Sequence, residues 1–502
     1  MEYLSNLGEL YLSGAGQVFT PRALLLILAG TLLGIVFGAL PGLSSTMALA
    51  LFTPLTFAMS PAEAIVFLIA LYISSVYAGA VAAILVNIPG TPSSIATSFD
   101  GYPLSQRGEA GRAIGVATVA SVIGGAIGLV VLMVGSPLLA QMARRIGSWE
   151  YAILALLALT LISYVSPGTM LRGLIAGTLG LLIATIGSDL ILGYPRFTFG
   201  TSELVGGLDV VVLMIGLFGF AEVFSELENT ARPSVKQRVH GVARSVRETF
   251  THTKTIVRSS LIGVGIGVLP GAGGSIASIA AYGVSLRTSR KPQEYGKGST
   301  EGLSAAESSN NASVGGALVP MMTLGIPGDP MTAVLIGALM IHGLAPGPQL
   351  YANNPAFVSA IFLGYLVALV FMLIVGLLAA RPYARLVSFP RPYVMGVIAL
   401  LCVVGSYSIQ NSIFDVWVAV AAGFAGYLLK KVHIYPAPIV LGVVLGPLLE
   451  HNLRRALFLG DGSIMPFFTR PISLLLILTI ILLLFSSQIG QRLRRRDAGS
   501  RA

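Results

Sequence analysis

The chain has 502 residues, of which 55% are hydrophobic and only 10% charged, where soluble domains carry roughly a quarter charged residues. That balance excludes a mainly water-solvated fold, so the solvent for most of the chain is lipid. The net charge of +10 does not imply a nucleic-acid partner, because the basic residues sit in short loops between apolar runs and in the tail Arg492–Arg496, where they act as cytoplasmic topology signals.

The N-terminus carries Glu2 and Glu9 and no basic n-region, so it does not read as a cleavable signal peptide; the first membrane helix is expected near Pro21. Uncharged runs follow at Ala23–Ala62, Ala64–Phe99, Ala113–Met142 and Pro330–Ala380, each at least the ~20 residues needed to cross a bilayer. Read with their Pro/Gly interruptions and without any alternating strand pattern, they predict an all-α polytopic membrane protein of roughly ten to twelve helical crossings plus broken helices. The segment Arg232–Arg258, with nine Lys, Arg and His, reads as a cytoplasmic linker, and the tail around Arg492 also reads as cytoplasmic. The expected organisation is a first repeat half over 1–226, a basic linker over 227–258, a second half over 259–450, and a C-terminal membrane helix with a basic tail over 451–502. Cys402 lies in an apolar run and, being the single cysteine, forms no internal disulfide.

An internal repeat organises the chain. Gly38-Ala-Leu-Pro-Gly42 returns as Gly267-Val-Leu-Pro-Gly271, and Ile88-Pro-Gly-Thr-Pro92 returns, in the same order, as Ile326-Pro-Gly-Asp-Pro330. The second pair is more widely separated than the first, which implies an insertion around Lys291–Ser299. Leu138-Leu-Ala140 against Leu377-Leu-Ala379 and Ser163-Tyr164 against Ser406-Tyr407 continue the correspondence. Loop charges test the relative orientation of the halves. The loop after the first motif, Ala58–Glu63, has no base, whereas its counterpart holds Arg287, Arg290, Lys291 and Lys297; after the second motif Arg107 and Arg112 face an uncharged Ala345–Asn354. Opposite charge phase is the mark of an inverted repeat, although Arg144/Arg145 against Arg381/Arg385 is basic in both halves and does not fit it.

The repeated motifs place Pro and Gly inside membrane-length segments, so helices should break at Pro41–Gly42, Pro89–Pro92, Pro270–Gly274 and Pro327–Pro330. Matching breaks in two halves point to a transporter's binding site. Half-helix N-termini suit a carboxylate, and freed carbonyls suit a cation such as sodium. The candidate substrate-binding residues are therefore Pro41, Gly42, Ser44, Ser45, Thr46, Asn87, Pro89, Gly90, Thr91 and Ser93 in half one, with Gly271, Gly273, Gly274, Ser275, Asn310, Asn311, Pro327 and Gly328 in half two. The bland alternative is that these small polar residues only let helices pack closely. Glu307 and Asp329 are the acids expected at membrane depth, where a charge is functional by default. With Ser308 and Ser309 they are candidates for ion coupling. Glu307 either carries a proton, helps bind sodium, or holds a break together, and Asp329 stands where half one has Thr91. Asp209 reads as an interfacial cap and His342 as a packing residue.

At Gly38–Phe57, Ala83–Gly115, Gly267–Ala281 and Glu307–Pro348 the sequence resembles the large permease subunit of the tripartite tricarboxylate transporters, the TctA type, and the resemblance extends loosely from about Gly30 to Leu449. One departure is Ser308 and Ser309, where the resemblance leads one to expect small Ala residues. The resemblance implies a small four-span membrane subunit, a periplasmic solute-binding protein, and uptake of citrate-like di- or tricarboxylates across the bacterial inner membrane. It implies sodium or a proton as coupling ion and no other cofactor. A distant likeness to inverted-repeat elevator carriers is fold-level analogy. A self-sufficient carboxylate symporter is the nearest rival. A membrane-embedded hydrolase is disfavoured: Gly325-Ile-Pro-Gly-Asp329 lacks a partner Asp, and no metal-protease motif or serine elbow occurs. No phosphate loop supports an ATP-driven pump.

Overall fold

The computed structural model describes residues 13–165, 169–189, 191–228, 242–378, 380–387 and 389–499. Its first half contains α1 (Pro21–Ala39), α2 (Ser45–Phe52), α3 (Pro61–Val86), α4 (Ile95–Gln106), α5 (Ala110–Ala143), α6 (Ser148–Val165) and α7 (Met170–Ala184). The next helix, α8, runs through Val210–Met214, a π-helical stretch Ile215–Phe220, and Ala221–Glu226. After α9 (Val242–Thr249) come α10 (Thr253–Gly267), α11 (Gly273–Thr288), α12 (Thr300–Leu324), α13 (Pro330–Ile341), α14 (Pro355–Leu378), α15 (Arg391–Gln410), α16 (Ile413–Lys431), α17 (Pro436–Leu459) and α18 (Pro471–Gly499). Among the described residues the β-structure is one two-residue antiparallel ribbon, Gly187–Ser188 with Pro195–Arg196.

Seven of these helices, α1, α3, α5, α14, α15, α16 and α17, are long and apolar enough to cross a membrane, and five shorter apolar stretches accompany them, at Ser45–Ala58, Ser148–Tyr164, Met170–Ala184, Pro330–Ile341 and Pro471–Phe485. The chain is thus an all-α multi-pass membrane protein, as its composition predicts. Helix starts follow local chemistry. Thr20 caps α1 by accepting the Ala23 N–H, with Pro21 at the first position, and Ser60 and Glu63 form a capping box on α3 behind Pro61.

Small residues set the packing of the long helices. Gly34 and Gly38 of α1 lie against the carbonyls of Leu71 and Ser75 on α3, where an added Cβ would stand 2.4 and 2.2 Å from the oxygens. In the second half Gly263 and Gly267 of α10 lie against the carbonyls of Ser309 and Ser313 on α12, at 2.2 and 2.4 Å. The two sets correspond residue by residue. Gly34 and Gly38 map onto Gly263 and Gly267 in the register that relates Pro41 to Pro270, and Leu71 and Ser75 map onto Ser309 and Ser313 in the register that relates Pro89 to Pro327. Contact registers also fix helix directions. Gly125 of α5 faces Leu369 of α14 while Thr118 faces Gly376, so these two helices run antiparallel. Gly124 and Gly128 of α5 face Ser308 and Ala312, so α5 and α12 run parallel.

Helix α12 is the exception to lipid-driven burial. It carries Glu307, two serines and two asparagines in succession, yet Gly302 through Thr323 are all buried, because α5, α10 and α11 pack around it. Its polar side chains are therefore held inside protein, away from lipid. Part of the expected linker, 229–241, lies outside the described residues. The remainder includes a helix rather than a free loop: α9 rests on α5, with Arg112 donating to both Glu248 carboxylate oxygens at 2.8 and 2.6 Å. The side chains of the basic tail Arg492–Arg496 lie outside the described residues.

Candidate functional site

All four expected breaks occur. Helix α1 stops at Ala39 and α2 starts at Ser45; α3 stops at Val86 and, after a 3-10 turn at Pro92–Ser94, α4 starts at Ile95; α10 stops at Gly267 and α11 starts at Gly273; α12 stops at Leu324 and α13 starts at Pro330. Gly42 and Gly271, the last residues of the two Leu-Pro-Gly triplets, have φ of 92° and 80°, a region that disfavours any residue with a Cβ. Asn87 and Gly325, at equivalent places after α3 and α12, both end their helices in the left-handed conformation, φ 57° and 69°. Asn is the common substitute for Gly in that role. Asn87 is thereby explained as a cap, and its side chain is exposed.

The breaks touch one another in a closed circuit. Gly90 approaches the Gly38 carbonyl so closely that a Cβ would lie 2.1 Å from it, which joins the first and second breaks. Ser93 faces Gly274, where a Cβ would come within 3.0 Å of it, and its carbonyl accepts the Ser278 hydroxyl at 2.8 Å, which joins the second and third. The Gly271 N–H donates to the Gly328 carbonyl at 2.7 Å, which joins the third and fourth. Thr46 of α2 reaches the sulfur of Met331 on α13 at 3.1 Å, which closes the circuit. Pro41 and Pro327 are buried within it, while Pro89 and Gly273 are partly exposed.

The candidate residues divide by what satisfies them. Ser44 caps α2 through the Met47 N–H. Asp329 caps α13 in a box with Thr332, accepting its N–H at 2.8 Å, and also accepts the hydroxyl of Tyr72 from α3. Thr91 shares hydroxyl contacts with Ser93 and Ser94 at 3.0 and 2.9 Å. The Ser275 carbonyl accepts from Ser278 at 3.1 Å. Asn311 donates to the Ile73 carbonyl at 3.3 Å while its own oxygen has no partner. Ser308 and Ser309 sit where α12 touches Gly124 and Gly263 backbone to backbone, so their size is explained by close packing.

The buried hydroxyls of Ser45 and Ser309 have no hydrogen-bond partner, and Asn310 is fully buried with both its side-chain nitrogen and oxygen unpaired. Its side-chain oxygen Oδ1 lies against the bare face of Gly274, 2.6 Å from where a Cβ would stand, beside Ser93 and Ser313. A buried amide left without partners loses about 1–3 kcal/mol in desolvation.

Glu307 is also fully buried. Its carboxylate accepts the Thr97 hydroxyl from α4 and the Ser121 hydroxyl from α5, the latter at 3.0 Å. No basic side chain among the described residues forms an ion pair with Glu307 or Asp329. Two hydroxyls and a carboxylate form an oxygen-donor set suited to a proton or a small hard cation. Groups of three or more His, Cys, Asp or Glu placed to hold a metal ion do not occur among the described residues. Asp209 caps α8 by accepting the Val211 and Val212 N–H groups, and His342 packs against Thr56 at 3.2 Å.

Tyr72, Thr97 and Ser121 were not singled out in the sequence. A signal existed for the first, since Tyr72 and Asn310 are related by the same register that relates Pro89 to Pro327. None existed for Thr97 and Ser121, whose relevance depends on how α4 and α5 pack on α12.

A family model described as the tripartite tricarboxylate transporter TctA family matches residues 24–441. A protein of Agrobacterium vitis, named "Uncharacterized 52.8 kDa protein in TAR-I ttuC' 3'region", is 35% identical over 474 residues, covering 94% of each chain. A second from the same organism, "Uncharacterized protein in TAR-II ttuC' 3'region", is 38% identical over 208 residues, 41% of this chain and 86% of its own length. No solved structure matches the chain. The family match covers all four breaks and every helix of the circuit, and the chain belongs to the tripartite tricarboxylate transporter TctA family.

Proposed function

We propose that this chain is the large permease subunit of a binding-protein-dependent secondary transporter of the bacterial inner membrane, which takes up di- or tricarboxylate anions driven by a sodium or proton gradient. Its partners in this reading are a small four-span membrane subunit and a periplasmic solute-binding protein. The observation that carries the proposal is the closed circuit of four helix breaks, enclosed by buried hydroxyl and amide groups and, among the described residues, without a basic side chain paired to its acids. Neutral donors and half-helix N-termini can hold an anion and still release it, whereas a buried Arg would bind it too firmly to turn over.

The two halves act as an inverted repeat in this reading. Support comes from the recurrence of the Gly34–Leu71 and Gly38–Ser75 contacts as Gly263–Ser309 and Gly267–Ser313, and from the antiparallel course of α5 and α14, which occupy corresponding places in the two halves. Substrate sits at the circuit while one bundle moves against the other. Glu307, with Thr97 and Ser121, holds the coupling ion beside that site.

The test is uptake of labelled citrate by proteoliposomes containing the chain and its small subunit, with the binding protein added outside and sodium and pH varied separately. Uptake that needs both partners and one ion gradient supports the proposal. Uptake by the chain alone favours a self-sufficient symporter, and lack of uptake for citrate, succinate and tartrate alike rejects the carboxylate reading.

A further inference from the structure

The pseudo-equivalent positions of the two halves make two corners of the circuit comparable residue by residue. In one corner Asp329 caps α13 and accepts the Tyr72 hydroxyl. In the other, Thr91 stands in the place of Asp329, Asn310 in the place of Tyr72, and Gly274 in the place of Ser45. The first corner therefore holds the chain's own carboxylate, with the Ser45 hydroxyl left unpaired. The second has a donor but no carboxylate to receive it: the side-chain amide of Asn310 is buried with Nδ2 and Oδ1 unpaired, and the Thr91 hydroxyl contacts those of Ser93 and Ser94.

Helix starts divide in the same way. Of the four restarts, α2 and α13 are capped by Ser44 and Asp329, whereas α4 and the sixteen-residue α11 have no side-chain cap. The uncapped pair meets at Ser93, Gly274 and Asn310. Where the other corner has Ser45, the bare face of Gly274 lets Asn310 Oδ1 and the Ser93 Cβ approach the backbone. An uncapped helix start and a partnerless buried amide are independent observations: the helix start favours negative charge and the unpaired Asn310 Nδ2 calls for an acceptor, while its unpaired Oδ1 calls for a donor such as a hydroxyl of the same ligand.

Resting on the carboxylate reading above, we propose that one carboxylate of the transported anion binds between the Asn310 amide and the Thr91 and Ser93 hydroxyls, in the place that Asp329 fills in the pseudo-equivalent corner. Each chain then takes one anion at one corner, because the other is closed by its own side chain.

The test installs the missing acid. Thr91→Asp gives half one the carboxylate of half two and occupies the corner from within. In the purified full chain, the thermal shift produced by citrate should disappear, and citrate uptake by the reconstituted complex should fall about tenfold or more. Should Thr91→Asp fail to insert or elute as a single species, the near-isosteric Asn310→Asp decides instead, since it sets a negative charge against the bound one and should cause the same loss. Succinamide, the uncharged analogue of succinate, should give no shift in any variant. Citrate shift and uptake within twofold of wild type in either well-folded variant overturn the corner assignment while leaving the transport reading intact. Absence of carboxylate binding and uptake in the wild-type complex overturns both.

Discussion

The closest approach between breaks predicts the effect of a single methyl group. In Gly90→Ala the new Cβ would stand 2.1 Å from the Gly38 carbonyl oxygen and 2.9 Å from the Gly79 Cα, where a carbon and an oxygen in contact ordinarily lie roughly 3.3 Å apart. The first and second breaks must separate by about 1 Å, and both obstructing atoms are backbone, so no rotamer relieves the clash. Overpacking of this kind costs about 1–3 kcal/mol. Gly90 has no positive φ among the described backbone angles, so alanine also gains about 0.4–1 kcal/mol by restricting the unfolded chain. The clash wins, and net destabilisation of about 1–2 kcal/mol is expected. The control is Gly283→Ala in α11, where nothing lies within 4 Å of the added carbon and helix propensity favours alanine by up to about 1 kcal/mol. Thermal inactivation of detergent-purified protein, followed by size-exclusion of the surviving fraction, should place Gly90→Ala below wild type and Gly283→Ala at or above it. Citrate uptake by the reconstituted complex should drop in the first alone. Equal melting and full uptake for Gly90→Ala would refute the close contact between the breaks.

Three further substitutions test other parts of the circuit. Tyr72→Phe removes the hydroxyl from Asp329 and leaves that oxygen buried without a donor, so stability should fall by about 1.5–3 kcal/mol, measured by the same inactivation assay; an unchanged variant would mean that the pair does not form. Glu307→Gln keeps the shape but not the charge, and uptake should lose its dependence on the coupling ion while citrate still shifts the melting temperature of the chain. Gly34→Ala and Gly263→Ala meet carbonyls at 2.4 and 2.2 Å and should destabilise to within about 1 kcal/mol of each other; a large difference would argue that the two halves do not share one packing scheme.

Much of this architecture was legible because it is written in two codes that act locally. Proline and glycine report where a helix cannot continue, and all four interruptions fall where Pro41, Pro89, Pro270 and Pro327 place them. Long uncharged runs report lipid, and the first span begins at Pro21 as expected. What was not legible depends on tertiary neighbours. The burial of Glu307 and of the serines and asparagines around it on α12 is decided by the glycines of α5 and α10 that let other helices enclose it. Asn87 and Asn311 look alike in the sequence, yet one ends a helix in the left-handed region and the other spans to the Ile73 carbonyl. Asp329, an ion-coupling candidate, also caps a helix and is tied to Tyr72, a tie set by how α3 packs on α13. The repeat register could have paired Tyr72 with Asn310 from the sequence alone, since register is kept between halves even where chemistry is not.

The same divergence bears on why transport should need a cation. Glu307 and Asp329 are both buried carboxyl groups without a basic partner among the described residues, and in the proposed reading the circuit recruits an anion with neutral donors only. Uncompensated charge in a low-dielectric interior costs several kcal/mol per ion even after relaxation, and a substrate anion entering beside two carboxylates adds repulsion to that cost. A cation that binds with the substrate, or a proton held by one of the carboxyl groups, removes the penalty without a fixed lysine or arginine that would hold the anion after the cation had left. Coupling then follows from electrostatics, and linkage makes it reciprocal: whatever factor the cation adds to citrate affinity, citrate must add to the affinity for the cation. Measuring both factors on one preparation separates an ion that is coupled through Glu307 from one that only stabilises the fold, because in Glu307→Gln the two factors should fall together toward one.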